Sequence, residues 1–145
     1  MYKREKRNTE YTTAEEVYEQ YKRARYEELP DLEENLYKYY KYLAWDQKRN
    51  LLALCRFYEY APEYAYHLVL SSVGDCEYTE IIDMNVSNDI RLYKRKNLYT
   101  SHIAVTYAVT DIHEHTRTEK MLICFKFEAF PEKKDICFTD IYIKR

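Results

Sequence analysis

The chain has almost no glycine: one among 145 residues, beside three prolines and one tryptophan. A single glycine excludes loops that cradle phosphate on glycine backbone, so neither a P-loop nor a dinucleotide fingerprint is present. Long apolar runs are also missing. The longest, near Leu51 to Cys55 and Leu68 to Leu70, fall far short of the roughly 18 residues that a membrane span needs. Cysteine is sparse and scattered: Cys55, Cys76, Cys124 and Cys137 form no C-x-x-C pair. That spacing argues for reduced, mostly buried thiols over a zinc or disulfide framework. Neither sign of charge dominates, with 23 Lys+Arg against 25 Asp+Glu, so charge balance does not require nucleic acid or an acidic substrate. The basic start Lys3-Arg4-Glu5-Lys6-Arg7 leads into Asn8-Thr9-Glu10, which is no apolar secretory core. Residues 1–10 therefore read as a basic, flexible tail. The expectation is a soluble cytoplasmic protein of one domain (1–145), with no cofactor and no membrane association.

What is present begins as helix. Thr13-Ala14-Glu15-Glu16 fits a capping box, and Ala14, Val17, Tyr18, Tyr21 and Ala24 recur on one helical face that ends near Leu29-Pro30. A second start stands at Asp31 with Glu34 three residues on, followed by Leu32, Leu36, Tyr39, Tyr40 and Leu43. The polar run Asp46 to Asn50 interrupts that stripe, either as a solvated turn of one long helix or as the junction of two. The pattern resumes at Leu51, Leu54, Cys55 and Tyr58 and is expected to break at Pro62, where a backbone donor is missing. A short helix carrying Ala65, Leu68, Val69, Ser72 and Val73 follows, and Gly74 is placed to end it as a left-handed residue.

Past Gly74 the apolar period falls from 3.6 to 2. Tyr78, Glu80, Ile82, Met84 and Val86 share one strand face, Ser87-Asn88-Asp89 supplies a turn, and Ile90 to Arg95 is extended. Three further strands carry apolar sets on odd numbers: Ile103, Val105, Tyr107 and Val109; Ile123, Phe125 and Phe127; Ile141 and Ile143. Directly paired residues share a face, so both connecting loops are expected to hold an odd number of residues. Loops centred near Arg117 and Glu132 meet that rule, and it places Cys124 and Cys137 on opposite faces.

The class expected is α+β: helices over about 13–73 packed on a curved antiparallel sheet over about 77–144. In its closing strands, His102 to Ile112, Met121 to Phe130 and Asp135 to Lys144, preceded by helices, the chain resembles the NTF2-like and cystatin-like group. That resemblance implies a cone-shaped sheet and one of several roles, including a small apolar ligand site, an enzyme or a VirB8-like assembly scaffold.

Few residues suggest catalysis. Asp111, His113 and His115 alternate at a strand end and have the chemistry of a zinc or copper set, but their polar neighbours Glu114, Thr116, Arg117 and Thr118 read as a solvated hairpin end, and no metal is expected. Ser71, Ser72 and Ser101 lie near His67 and His102 in sequence without a nucleophile motif, and His67 reads as a satisfied structural histidine. The segment Arg91, Tyr93, Lys94, Arg95, Lys96 interleaves cations with an aromatic ring, which suits phosphate neutralisation and base stacking; a charged edge strand that resists edge-to-edge pairing is the favoured reading.

Tyrosine is the excess. Thirteen of 18 lie at or before Tyr66, and Tyr37, Tyr39, Tyr40 and Tyr42 are too dense for one helix face. Tyrosine is enriched in protein interfaces, so Tyr37, Tyr39, Tyr42, Tyr60 and Tyr64 are the expected contact residues of a non-enzymatic protein-binding module. In size and in its lack of catalytic motifs the chain is similar to accessory proteins of phages and mobile elements, such as anti-CRISPR proteins. That likeness implies an inhibitor that covers a surface of a host defence complex. The small-ligand domain and a nucleic-acid-binding protein using Arg91 to Lys96 stand as alternatives, and a homo-oligomer is compatible with all three.

Overall fold

The computed structural model describes residues 13–74, 77–87, 89–92 and 98–144. The basic tail, Cys76, Asn88 of the turn, and Tyr93, Lys94, Arg95 and Lys96 lie outside them. Three helices, α1 (Ala14–Tyr26), α2 (Leu32–Tyr40) and α3 (Trp45–Ser71), precede five strands, β1 (Tyr78–Val86), β2 (Arg91–Leu92), β3 (Leu98–Thr110), β4 (Thr116–Phe130) and β5 (Asp135–Lys144). The strands form one antiparallel sheet in the order β1-β3-β4-β5, with β2 also on β3. The protein is thus α+β, helices first and strands last. Among the described residues no helix is long and apolar enough to cross a membrane.

The capping box forms as the sequence predicts: Glu16 N–H donates to Thr13 Oγ1 at 3.3 Å, and Thr13 N–H donates to Glu16 Oε1 at 3.2 Å. Asp31 behaves differently. It precedes α2 in the left-handed region, φ 56°, and its side chain caps nothing; a short polar side chain tolerates that backbone better than most, and the reversal between α1 and α2 requires it. The helix junction also comes earlier than expected. α2 stops at Tyr40, and Asp46 to Asn50 belong to the first turns of α3. Their polarity is used for bridging: Gln47 Oε1 accepts from the N–H of Ala14 at 2.7 Å, and Asn50 Oδ1 accepts from the Tyr99 hydroxyl at 2.6 Å.

Pro62 does not break the chain, because α3 runs through it for 27 residues. An interior proline costs about 3 kcal/mol, but Phe57, Ala61, Ala65 and Val69 are fully buried on either side of it. Burying a phenylalanine or valine side chain is worth about 1.5–3 kcal/mol, so the continuous face prevails. Gly74 is corrected as well: its φ is not in the left-handed region, and α3 ends instead with the Ser72 N–H and hydroxyl donating to the Val69 carbonyl.

Register explains three further departures. In β1 a bulge between Ile81 and Asp83 turns Ile81 inward before it and Met84 and Val86 inward after it. Ile82 and Tyr78 are left exposed, which divides the even-numbered stripe. The loop from β3 to β4 has an odd number of residues, as parity requires, but Thr110 pairs with Thr116, so it is centred on His113 and Arg117 already lies in β4. Between β4 and β5, Phe130 pairs with Asp135, which leaves an even loop, 131–134. A bulge at Thr139 compensates: Lys126 pairs with Asp140, yet Phe127 pairs with Phe138. Even-numbered Ile136 and Phe138 therefore face the core near the loop, and odd-numbered Ile141 and Ile143 face it beyond. Cys137 pairs with Glu128, so it shares the outer face with Cys124, contrary to the simple parity rule. The thiols stay separate and free. Cys55 alone of the three described is buried, Cys137 being exposed.

Two buried clusters meet on α3. One joins Phe57, Ala61, Ala65 and Val69 to the odd-numbered side chains of β3 and β4. The other joins Leu51, Leu52, Leu54 and Cys55 to Ala14, Val17, Tyr18 and Tyr21 of α1 and to Leu36, Tyr40 and Leu43.

Candidate functional site

The expected tyrosine surface divides into three environments. Tyr37 and Tyr39 are only half-buried but turn toward the helical cluster. Tyr39 lies in the seam with Val17, Tyr21 and Leu36. Tyr37 accepts a very short hydrogen bond from Arg56 Nη2, and the Lys134 ammonium sits over its ring at 4.5 Å. Burial pushes the Tyr37 phenol up to about 12. Tyr42, 73% exposed, sits after α2 beside Trp45, 55% exposed, with Lys41 Nζ 5.3 Å from its ring. Tyr60 and Tyr64 are elsewhere, on the second half of α3. At 1.5 Å per residue the rise from Trp45 to Tyr60 is about 22 Å, so Tyr42 and this pair belong to separate patches.

Arg56 organises the ground between these patches. It is buried, yet it donates to Glu33 Oε1 and Oε2 at 2.9 Å each, to Glu59 Oε1 at 2.6 Å, and through Nε to the Lys134 carbonyl at 3.2 Å. Glu59 Oε2 in turn accepts from the Tyr21 hydroxyl at 2.5 Å and from Arg25 Nη1 at 3.3 Å. One guanidinium thereby ties α1, α2, α3 and the β4–β5 turn. Hydrogen bonds from Arg56 hold the Glu33 carboxyl below its ordinary value. Burial alone would lower the Arg56 value, but the bonds to Glu33 and Glu59 overcome it and raise it. This network was not expected from the sequence; the Arg56 and Glu59 spacing of three was the available signal.

Glu59 also lines an open groove of about 590 Å³ between α3 and β5, with Tyr60, Glu63, Tyr64 and His67 on one wall and Ile136, Cys137 and Phe138 on the other. Residues 60, 63, 64 and 67 share an α3 face by their three- and four-residue spacing. Tyr64 meets Phe138 edge to face, with ring centroids 5.0 Å apart. Burial first and the Asp135 carboxylate second raise the Tyr60 phenol. His67 is exposed, contrary to the structural role expected of it, and its Nε2 is 3.9 Å from Glu63 Oε2. Phe138, Ile136 and Cys137 were missed because the strand parity placed Phe138 and Ile136 on the wrong face.

The remaining expectations locate as follows. Asp111, His113 and His115 stand in and beside the hairpin loop, where Asp111 Oδ1 accepts from the N–H of His113 at 2.8 Å and of His115 at 2.9 Å. That carboxylate shapes the turn, and among the described residues no group of three or more His, Cys, Asp or Glu could hold a metal ion. Arg91 pairs across to Thr100 in β2 and its guanidinium meets Asp89 at 3.1 Å; the rest of the basic segment falls outside the described residues. The interior between α3 and the sheet is filled by side chains, Phe57 stacking on Phe127 at 5.3 Å and meeting Phe125 edge-on at 5.1 Å.

Comparison with known proteins adds no further constraint: no family model, curated protein or solved structure matches the chain significantly. The class is therefore set by the fold itself, one antiparallel sheet covered on one face by α3 with α1 and α2 packed against that helix, and function is argued from the groove.

Proposed function

We propose that the protein is a non-enzymatic protein-binding module whose contact surface is the groove between α3 and β5. The observation that carries this is the exposed aromatic wall: Tyr60 is 36% and Tyr64 48% exposed, on a helix that also supplies both buried cores. Tyrosine gives a rigid, amphipathic contact at low entropic cost and is enriched among hot spots. Tyr42 with Trp45 offers a second, smaller patch, whereas Tyr37 and Tyr39 serve the fold. Covering a surface of a larger assembly, as an anti-CRISPR-like inhibitor does, is the narrower form of this proposal.

The test is a Tyr60→Ala/Tyr64→Ala double variant, compared with wild type for recovery of a stoichiometric protein partner from the native host. Each hot-spot truncation costs about 2 kcal/mol or more, about thirtyfold in Kd, so recovery should disappear while the melting temperature stays close to wild type. Undiminished recovery would remove the groove from consideration.

A further inference from the structure

We infer that the groove takes a short extended polypeptide segment with one aromatic or bulky aliphatic side chain flanked by Lys or Arg; this rests on the protein-binding reading above. Its length sets the first limit. From Tyr60 to His67 the helix rises about 10 Å, which matches about three extended residues and is too short to seat a recognition helix along its length. The floor sets the second. Phe138 and Ile136 lie between the helix and the sheet edge, and the Tyr64 ring stands over Phe138, so one large apolar side chain fits between the Tyr60 and Tyr64 walls.

Charge decides the flanks. The Glu63 side chain is 82% exposed, and His67 at 3.9 Å is its ion-pair partner among the described residues. Asp135, at the start of β5, accepts from the N–H of Ile136 at 2.9 Å and meets no Lys or Arg within ion-pairing distance among the described residues. Glu59 is already balanced by Arg56 and Arg25, and no lysine or arginine lines the groove. One lining carboxylate, Glu63, is thus left to be matched by an incoming cation, and an acidic segment would meet repulsion. Edge pairing with β5 contributes over residues 135–138 at most. At Thr139 the bulge interrupts the strand and the Thr139 hydroxyl is turned to the Lys126 carbonyl at 3.2 Å, so side chains and not a long added strand carry recognition.

The experiment pans a random 12-residue peptide display library against the immobilised full-length protein, then measures the enriched peptides against wild type, Tyr64→Ala and Glu63→Lys. Enrichment of an aromatic or leucine side chain with Lys or Arg within three residues is expected. Tyr64→Ala and Glu63→Lys should each weaken binding about tenfold. Acidic flanks, or affinity indifferent to Glu63→Lys, overturn the inference while leaving the protein-binding reading intact if the double tyrosine variant still loses its native partner. Failure to enrich any peptide, or concentration-dependent dimerisation abolished by Tyr64→Ala, would each overturn it; the latter assigns the groove to a second copy of the chain.

Discussion

Arg56 and Phe57 are neighbours on α3, yet they enter interiors of opposite character. Phe57 enters the cluster on the sheet, mainly phenylalanine, isoleucine, valine and alanine with Tyr99 and Tyr107, where its ring meets Phe125, Phe127 and Phe138. Arg56 enters a cluster in which Tyr18, Tyr21 and Tyr40 are buried among leucines and the polar tips must be satisfied: Tyr21 by Glu59, Tyr40 by the Pro131 carbonyl at 3.1 Å. A buried hydroxyl without a partner costs about 1–3 kcal/mol. The helical cluster therefore depends on a few named bonds, whereas the sheet cluster depends on distributed area and shape.

The largest test of that contrast is Phe57→Ala. Removing a fully buried phenylalanine costs about 3–5 kcal/mol, and hydrogen exchange should accelerate across β3, β4 and β5 together. Arg56→Ala should cost about 3 kcal/mol, the lower end for a broken buried pair, because Glu59 is left buried while Glu33, 47% exposed at its side chain, rehydrates. Its exchange signature should be confined to α1, α2 and the 131–134 turn, with the sheet protected; uniform loosening would show that the two interiors unfold as one. Arg56→Met should cost less than Arg56→Ala by refilling the volume.

Acid gives a smaller effect. The Glu33 carboxyl titrates lower in the folded chain than in the unfolded one, so the unfolded state binds more protons between those values and stability falls as pH drops below about 4.3. Glu33→Gln should flatten that part of a melting-temperature profile, and an unchanged slope would show that Glu33 is not held by Arg56. The smallest effect is expected at Gly74. A Cβ there would stand 3.4 Å from the flexible Glu77 Oε1, and no left-handed backbone demands glycine. Gly74→Ala should raise stability by about 0.5 kcal/mol, a gain of a few degrees at most, whereas a loss would restore the left-handed reading.

The same contrast explains what the sequence made legible. The cluster on the sheet is periodic: residues 103–109 and 123–127 alternate, and the structure buries their odd members as the alternation predicts. The α1 stripe and the capping box are equally local signals. Pro62, by contrast, is decided by what Phe57, Ala61, Ala65 and Val69 bury far from it in sequence, which no local rule contains. The side of Ile136 and Phe138 depends on a bulge at Thr139 that conceals itself, since an even loop plus one extra residue returns Ile141 and Ile143 to the parity that the sequence suggested. Apart from Glu59, three residues on, the Arg56 network depends on partners 19 to 78 residues away. The candidate groove inherits these nonlocal causes, so Tyr60 and Tyr64 were anticipated and their opposite wall was not.

The sheet ends on β1 and β5, and each of those strands carries a register shift, at Ile82 and at Thr139. A flat, uninterrupted edge templates the addition of copy upon copy, the first step of fibrous growth. Here either border offers an arriving strand only a few consecutive rungs before the ladder loses step. The sheet is thus a poor seed for polymerisation although no helix or strand among the described residues covers its outer face, and a tyrosine-rich chain can keep aromatic surface in solvent with less risk of assembling on itself.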